Sequence, residues 1–380
     1  ADSAQKPTWS EDVAPLVAEH CVDCHRQGGA AFSLESYDSA RSYGKLLGHD
    51  VTVARMPPWP PTRDGGCPSF IGDRRLAQAD IDLVNEWVGG GMPEGKKVPP
   101  ISKPTSFGVL EDISVEVGPD APFTPTPGGD DYHCYLVDPG LTHDAFVTAY
   151  RVAAGPAVHH LQIWELSNDT DAQKLATLDA QSPEPGFDCT VWPGEAVKQL
   201  SVWGPSDPVR RHPAGTGIRV HAGKKLILQV HYHLASGPDQ THVGLQLKDH
   251  VDHEASLIDL APGPFTLPPR QLAVPIHTSI AITAPYVLWG VRGHMHSLGS
   301  KIHLDKDGPS GPSCVLAIDD WNPDWQLMYF YEQPLHLLPG DTVNLDCTYN
   351  TMAKDTPVHD GITATDEMCN GYLYVTDDTP

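Results

Sequence analysis

Pro93-Glu94-Gly95-Lys96-Lys97-Val98-Pro99-Pro100 is rich in proline and charge, lacks hydrophobic periodicity, and marks a semi-extended linker that runs on to about residue 106. It divides two kinds of sequence. A helical pattern lies before it, and short β-branched runs lie after it. The boundary is set accordingly: a first domain over 1–98, the linker proper over 99–106, and everything beyond in a β-rich part. A chain of 380 residues exceeds one ordinary core, so several domains are expected.

On the helical side, Thr8 and Glu11 form a T-x-x-E capping signal, and Val13, Leu16, Val17 and Cys21 follow at helical spacing, so a helix delivers its last turn to Cys21. A second helix is expected over 76–89, where Ile81, Val84 and Val88 share a stripe and Gly89-Gly90-Gly91 ends it. Cys21-Val22-Asp23-Cys24-His25 is C-x-x-C-H. In that motif two thiols form thioethers to a haem and the adjacent imidazole takes the iron. A zinc site would need a second C-x-x-C, and a redox C-x-x-C would need a βαβ surround; neither pattern is present. One covalently bound haem c is therefore expected on Cys21, Cys24 and His25. Met56, in Arg55-Met56-Pro57-Pro58-Trp59, is the expected sixth ligand, with Met92 and His49 as competitors. Met/His ligation raises a haem potential and suits an electron carrier. This segment resembles the small all-α class I cytochromes c over some 90 residues.

Past the linker, runs such as Ile113–Val117, Ala145–Val152, Lys225–Tyr232, His242–Leu247, Ile280–Ile282, Val287–Val291, Thr342–Cys347 and Tyr372–Val375 stand between turn residues. With 37 prolines and 34 glycines in the chain, this predicts an all-β region of sandwich type. The sharper signal is in the histidines, 20 in all, many of them paired. His159 and His160 are adjacent; His231 and His233 are two apart, as are His294 and His296. Residues i and i+2 of a strand share a face, so His294 and His296 can clamp one metal. Adjacent His159 and His160 would point to opposite faces; if both bind one ion, the backbone must bulge or end there. Imidazole suits copper, zinc, iron or nickel, and a thioether shifts the choice toward Cu(I), which draws attention to Met368 in Asp366-Glu367-Met368-Cys369-Asn370.

The order H-H, L-Q-V-H-Y, R-x-H-x-H, E-M-C-N-x-Y over about 107–380 resembles the copper type II ascorbate-dependent monooxygenases, the family of peptidylglycine α-hydroxylating monooxygenase and dopamine β-monooxygenase. The resemblance implies two antiparallel β-sandwich, jelly-roll-like domains, here 107–250 and 251–380, each with one copper. It assigns the first copper to His159, His160 and His231, with His233 as rival, and the second to His294, His296 and Met368, which would form the catalytic centre. It also implies disulfides Cys134–Cys189 and Cys347–Cys369, and leaves Cys67 and Cys314 as free thiols or one further bridge. In its peptide-hydroxylating branch a substrate carboxylate is held by residues matching Arg292, Asn370 and Tyr372. The implied reaction is hydroxylation of a C–H bond of a small organic or peptide substrate with O₂. A fused haem, fed by an external electron donor, would take the place of ascorbate. A haem–copper reductase, for example of nitrite, would need a thiolate copper site with His close after Cys, which Cys347-Thr348-Tyr349-Asn350 lacks. A non-catalytic copper or electron-transfer protein is the other alternative.

Lys and Arg number 25 against 49 Asp and Glu, a net charge of −24 that repels nucleic acid and anionic lipid. No apolar run reaches the length of a membrane span. Eight cysteines, the haem motif and the opening Ala1-Asp2-Ser3 lead to the expectation of a periplasmic or secreted bacterial protein after signal-peptide removal.

Overall fold

Two units divide the chain, Ala1–Trp59 with Gly72–Val109 and Pro60–Ile71 with Leu110–Pro380. The computed structural model describes residues 6–27, 31–62, 66–101, 109–155, 157–190, 197–204, 209–233, 237–309, 311–363 and 365–378. The opening Ala1-Asp2-Ser3 and most of the expected linker lie outside these residues.

The first unit is helical. Thr8 Oγ1 accepts from the Glu11 amide at 3.4 Å, but Asp12 rather than Glu11 returns the bond to the Thr8 amide, at 2.7 Å. Closing the box one residue late widens the first turn, so Trp9–Val13 is π-helical before Ala14–His20 continues as α-helix, with Cys21 as its C-cap. The second expected helix spans Gln78–Gly89. Between them lies Tyr37–Thr52, a helix the periodicity did not bring out. Ser36 and Ser39 close its capping box without the usual Glu or Gln, and Gly44 and Gly48 interrupt its apolar stripe. At Gly44 a Cβ would meet Met92 Sδ, so the helix packs closely against that side chain. Trp9, Val13, Val17, Leu34, Val84 and Trp87 form the buried core of this unit.

The second unit is built on a nine-stranded sheet. Its main path runs Val115–Val117, His242–Lys248, Ala145–Ala153, Thr216–Val220, His253–Leu260, Asn370–Asp377, Tyr286–His294, Tyr329–Leu337, and Val209–Arg211 pairs with Ala145–Ala153 off that path. Pairing is antiparallel except where Thr216–Val220 meets His253–Leu260. All strands before residue 250 lie on one side of that parallel seam, and all later ones on the other. A five-stranded sheet, Phe187–Asp188, Asp130–Val137, Leu226–His233, Val158–Leu166, Val197–Trp203, covers the first side. Tyr135, Leu161, Ile163 and Leu228 from this sheet share one core with Val147, Tyr150, Ile218 and Leu245 from the large one. A four-stranded sheet, Val274–Ala281, Thr342–Tyr349, Gly299–Gly308, Gly311–Ile318, covers the other side. There Gly293 and Gly371 make room for Ile302 and Leu304. The helix Asp169–Gln181, capped by Asn168, interrupts the β region and was not anticipated.

The cysteines pair as Cys134–Cys189, Cys347–Cys369 and Cys67–Cys314. Cys67 lies in the 60–71 stretch, which pairs within the second unit through Phe70↔Tyr331 and through the Ile71 amide on the Phe330 carbonyl at 2.7 Å. The third bridge thus pins an excursion of the N-terminal sequence to the β unit.

Candidate functional site

His159 and His160 start from a strand in which the register slips by one: Val158 faces Tyr232, yet His160 faces His231. This bulge is the irregularity that two adjacent histidines need to reach a common point. His231 comes from the neighbouring strand Leu226–His233. Its Nδ1 stands 3.2 Å from that of His160, and His159 Nδ1 stands 3.3 Å from the same atom. Imidazole nitrogens bound at about 2.0 Å to one tetrahedral ion would be about 3.3 Å apart, so the donor spacing fits a metal. His233 is exposed, with its Nδ1 on Asp130 Oδ1 at 2.7 Å. Asp130 also takes His231 Nε2 at 2.9 Å, and Tyr132 stacks on the His231 ring at 4.2 Å. With Nε2–H donated to a carboxylate, Nδ1 of His231 carries the free lone pair. Asp130, His231 and His233 form a second close group, but two of its three members are exposed.

His294 ends the strand Tyr286–His294, and His296 lies beyond it. Strand alternation therefore places Arg292 and His294 but not His296. That residue is held by the Glu367 carboxylate, which accepts its amide at 2.9 Å and that of Leu298 at 2.6 Å. His296 Nδ1 bonds the Asp366 carbonyl at 3.0 Å, and His294 Nδ1 bonds Gln326 Oε1, so both rings keep Nε2 for another partner. Burial lowers the pKa of all five histidines, that of His231 to about 4, and neighbouring imidazoles lower His160 and His294 further. They are neutral at physiological pH, the form in which imidazole binds a metal.

His160 and Tyr132 from one side of the seam, and His294, His296 and Met368 from the other, line a cavity of about 300 Å³. Tyr349 donates to the Met368 carbonyl at 2.6 Å, and the Cys347–Cys369 bridge fixes the next residue. Arg292 faces Tyr372 across the strand pair, its guanidinium 5.6 Å from the ring centre, and Asn370 donates to the Tyr372 hydroxyl at 3.2 Å. Arg292, Asn370 and Tyr372 all line the cavity and are buried. Four supporting groups were missed from sequence: Asp130, Gln326, Asp324 and Asp259. Gln326 bonds both His294 and Arg292, the latter at 3.4 Å, while Asp324 of the same loop is 3.6 Å from His159 Nε2. Nothing in that loop's composition marks it; only tertiary contact gives it a role.

In the first unit Cys21 and Cys24 are the two cysteines outside the disulfides. Burial and the neighbouring Cys24 push the Cys21 thiol up to about 12. His25 Nδ1 bonds the Phe32 carbonyl at 2.9 Å and leaves Nε2 open, the arrangement of an axial imidazole. Met56 is half-buried just after the helix Tyr37–Thr52, with its amide on the Asp50 carbonyl at 3.1 Å. Met92 instead packs with the core beside Gly44, and His49 is mostly exposed and bonded to Asp50.

Residues 266–379 match the family described as copper type II ascorbate-dependent monooxygenase, C-terminal domain, a span that holds Arg292, His294, His296, Met368, Asn370 and Tyr372. Peptidyl-glycine alpha-amidating monooxygenase A of Xenopus laevis is 24% identical over 65% of this chain and 28% of its own length. Dopamine beta-hydroxylase of Canis lupus familiaris is 23% identical over 57% of this chain and 37% of its own length. The proteins this chain resembles are thus copper-dependent monooxygenases, and of the two named here it spans 28% and 37% of the length. No helix among the described residues is long and apolar enough to cross a membrane.

Proposed function

We propose that this chain is a copper-dependent monooxygenase that hydroxylates a C–H bond of a small organic or peptide substrate with O₂, with electrons supplied through a c-type haem on residues 1–98. The observation that carries this is two donor sets of different softness, a close trio of imidazoles of which His160 reaches the cavity, and two imidazoles with a thioether that all line it. His159, His160 and His231 would hold one copper, and His294, His296 and Met368 the other, within jelly-roll-like domains over 107–250 and 251–380. Bound there, the metals supply O₂ activation at the thioether-containing set, which favours Cu(I), and electron storage at the all-imidazole set.

The protein's own part is orientation. Asp130, Gln326 and the Asp366 carbonyl each take the remote N–H of a histidine, fixing its tautomer. Arg292, Asn370 and Tyr372 would hold an anionic group of the substrate, a guanidinium fork being suited to a carboxylate. Cys21, Cys24, His25 and Met56 would hold the haem, which supplies one-electron carriage from an external donor. Three disulfides support a periplasmic or secreted location, which the proposed covalent haem would also require.

Turnover of the reduced, copper-loaded protein under ¹⁸O₂ against a metabolite extract tests the function: one ¹⁸O atom is expected in a hydroxylated product. Products without label overturn it. Two coppers and one haem that resists acid-acetone extraction are expected alongside.

Asp130→Asn is expected to weaken copper at the three-histidine set by about 10–100-fold, the usual cost of losing a partner that orients a ligand. Chelator competition would read this, and an unchanged affinity would mean that Asp130 serves only the surface. Cys21→Ser with Cys24→Ser should give a haem-free protein that a chemical reductant still drives but a cytochrome-specific donor does not. Equal use of both donors by the variant and its parent would take the haem off the electron path. These substitutions keep the Cys67–Cys314 bridge, which deleting residues 1–98 would remove.

A further inference from the structure

Asp259, Tyr372 and Arg292 stand in one row across three adjacent strands: Asp259 opposite Tyr372, and Tyr372 opposite Arg292. Residues directly opposite one another project from the same sheet face, and all three line the cavity. Strand spacing of about 4.8 Å puts the two outer backbones about 10 Å apart. The ends of the row carry opposite charges, and among the described residues neither has an ion-pair partner. Arg292 is buried over the Tyr372 ring, its Nε lacks a hydrogen-bond partner, and its one hydrogen bond among the described residues is the 3.4 Å contact to Gln326. Asp259 is exposed at the mouth of the cavity, and its carboxylate makes no ion pair or side-chain hydrogen bond among the described residues. Partial desolvation raises its carboxyl to about 6.

We propose that this row is a two-point anchor for a zwitterion, with Arg292 taking the anionic group and Asp259 a cationic group at the other end of the same substrate. The substrate class is then an ω-amino acid or a short peptide with a free amine, spanning Tyr372. The inference rests on the proposed carboxylate site at Arg292 and adds a second charge to it. A substrate that reaches both ends pairs the buried guanidinium and the carboxylate at the mouth together, whereas a simple carboxylate or amine pairs only one.

Binding of 5-aminopentanoate, pentanoate and pentylamine to the reduced, copper-loaded protein without O₂, measured by calorimetry, is the test. The wild type is expected to bind 5-aminopentanoate about tenfold or more tighter than either of the others. Asp259→Asn should remove that preference and leave pentanoate binding as it was, while Asp259→Glu, which keeps the charge, should retain the preference. Arg292→Gln should weaken 5-aminopentanoate and pentanoate alike. Equal wild-type affinity for 5-aminopentanoate and pentanoate, or a preference that survives Asp259→Asn, overturns the zwitterion anchor and leaves the carboxylate site standing. Binding of none of the three, or of pentylamine alone, overturns both.

Discussion

Met368→Ala is expected to abolish O₂-dependent product formation while copper at His159, His160 and His231, and reduction of the haem, stay intact. The thioether is the soft donor that separates one set from the other, and without it two imidazoles remain beside solvent in the cavity. Loss of a group that merely orients a ligand costs about 10–100-fold, so loss of the ligand itself should lower turnover by more than about 100-fold. The variant should fold. The backbone of residue 368 is held by the Tyr349 hydroxyl on its carbonyl and by the bridge at Cys369, and neither depends on the Met368 side chain. Product yield under ¹⁸O₂, together with the spectrum and stoichiometry of copper, distinguishes the cases. Two coppers and undiminished turnover in Met368→Ala would make the methionine a packing residue.

The proposed ligand sets could be named from the sequence because metal chemistry restricts residue types so narrowly. Two adjacent histidines near a strand start, an i,i+2 pair after Arg292, and Met368 beside a cysteine leave few alternatives. The bulge at His159 could be anticipated on the same ground, since a regular strand cannot aim both rings at one ion. His296 shows the limit of that logic. Its spacing suggested strand alternation, but it lies past the strand end, held by Glu367 from a segment 71 residues away. The Tyr37–Thr52 helix escaped notice because glycines needed for close packing break its apolar stripe. Asp259, Gln326 and Asp130 were invisible for a different reason: each is an ordinary polar residue whose role arises only from what the sheets bring opposite it.

Arg292→Ala is expected to weaken an anionic substrate severely while sparing both coppers. Truncating one partner of a buried charge-assisted pair costs about 2–5 kcal/mol, which is about 30-fold to several thousandfold in affinity. The loss should fall on substrate binding and on turnover at low substrate concentration, because Arg292 projects into the cavity two residues before His294 and ligates nothing itself. Stability should move the other way. In the free protein the guanidinium is buried, and among the described residues its Nε is unpartnered and its one hydrogen bond is the contact to Gln326, so its desolvation is poorly offset until a ligand arrives. Arg292→Ala is therefore expected to unfold at the same or a higher temperature than its parent, a separation that a merely structural arginine would not show. Arg292→Lys should recover part of the affinity, since a point charge replaces the planar fork but cannot bind both carboxylate oxygens in parallel. Substrate affinity, copper content and melting temperature measured on the three proteins decide the matter. If a neutral hydrocarbon or an aromatic amine is hydroxylated well, and equally well by Arg292→Ala, then Arg292 braces the Tyr372 strand and the substrate's charge lies elsewhere.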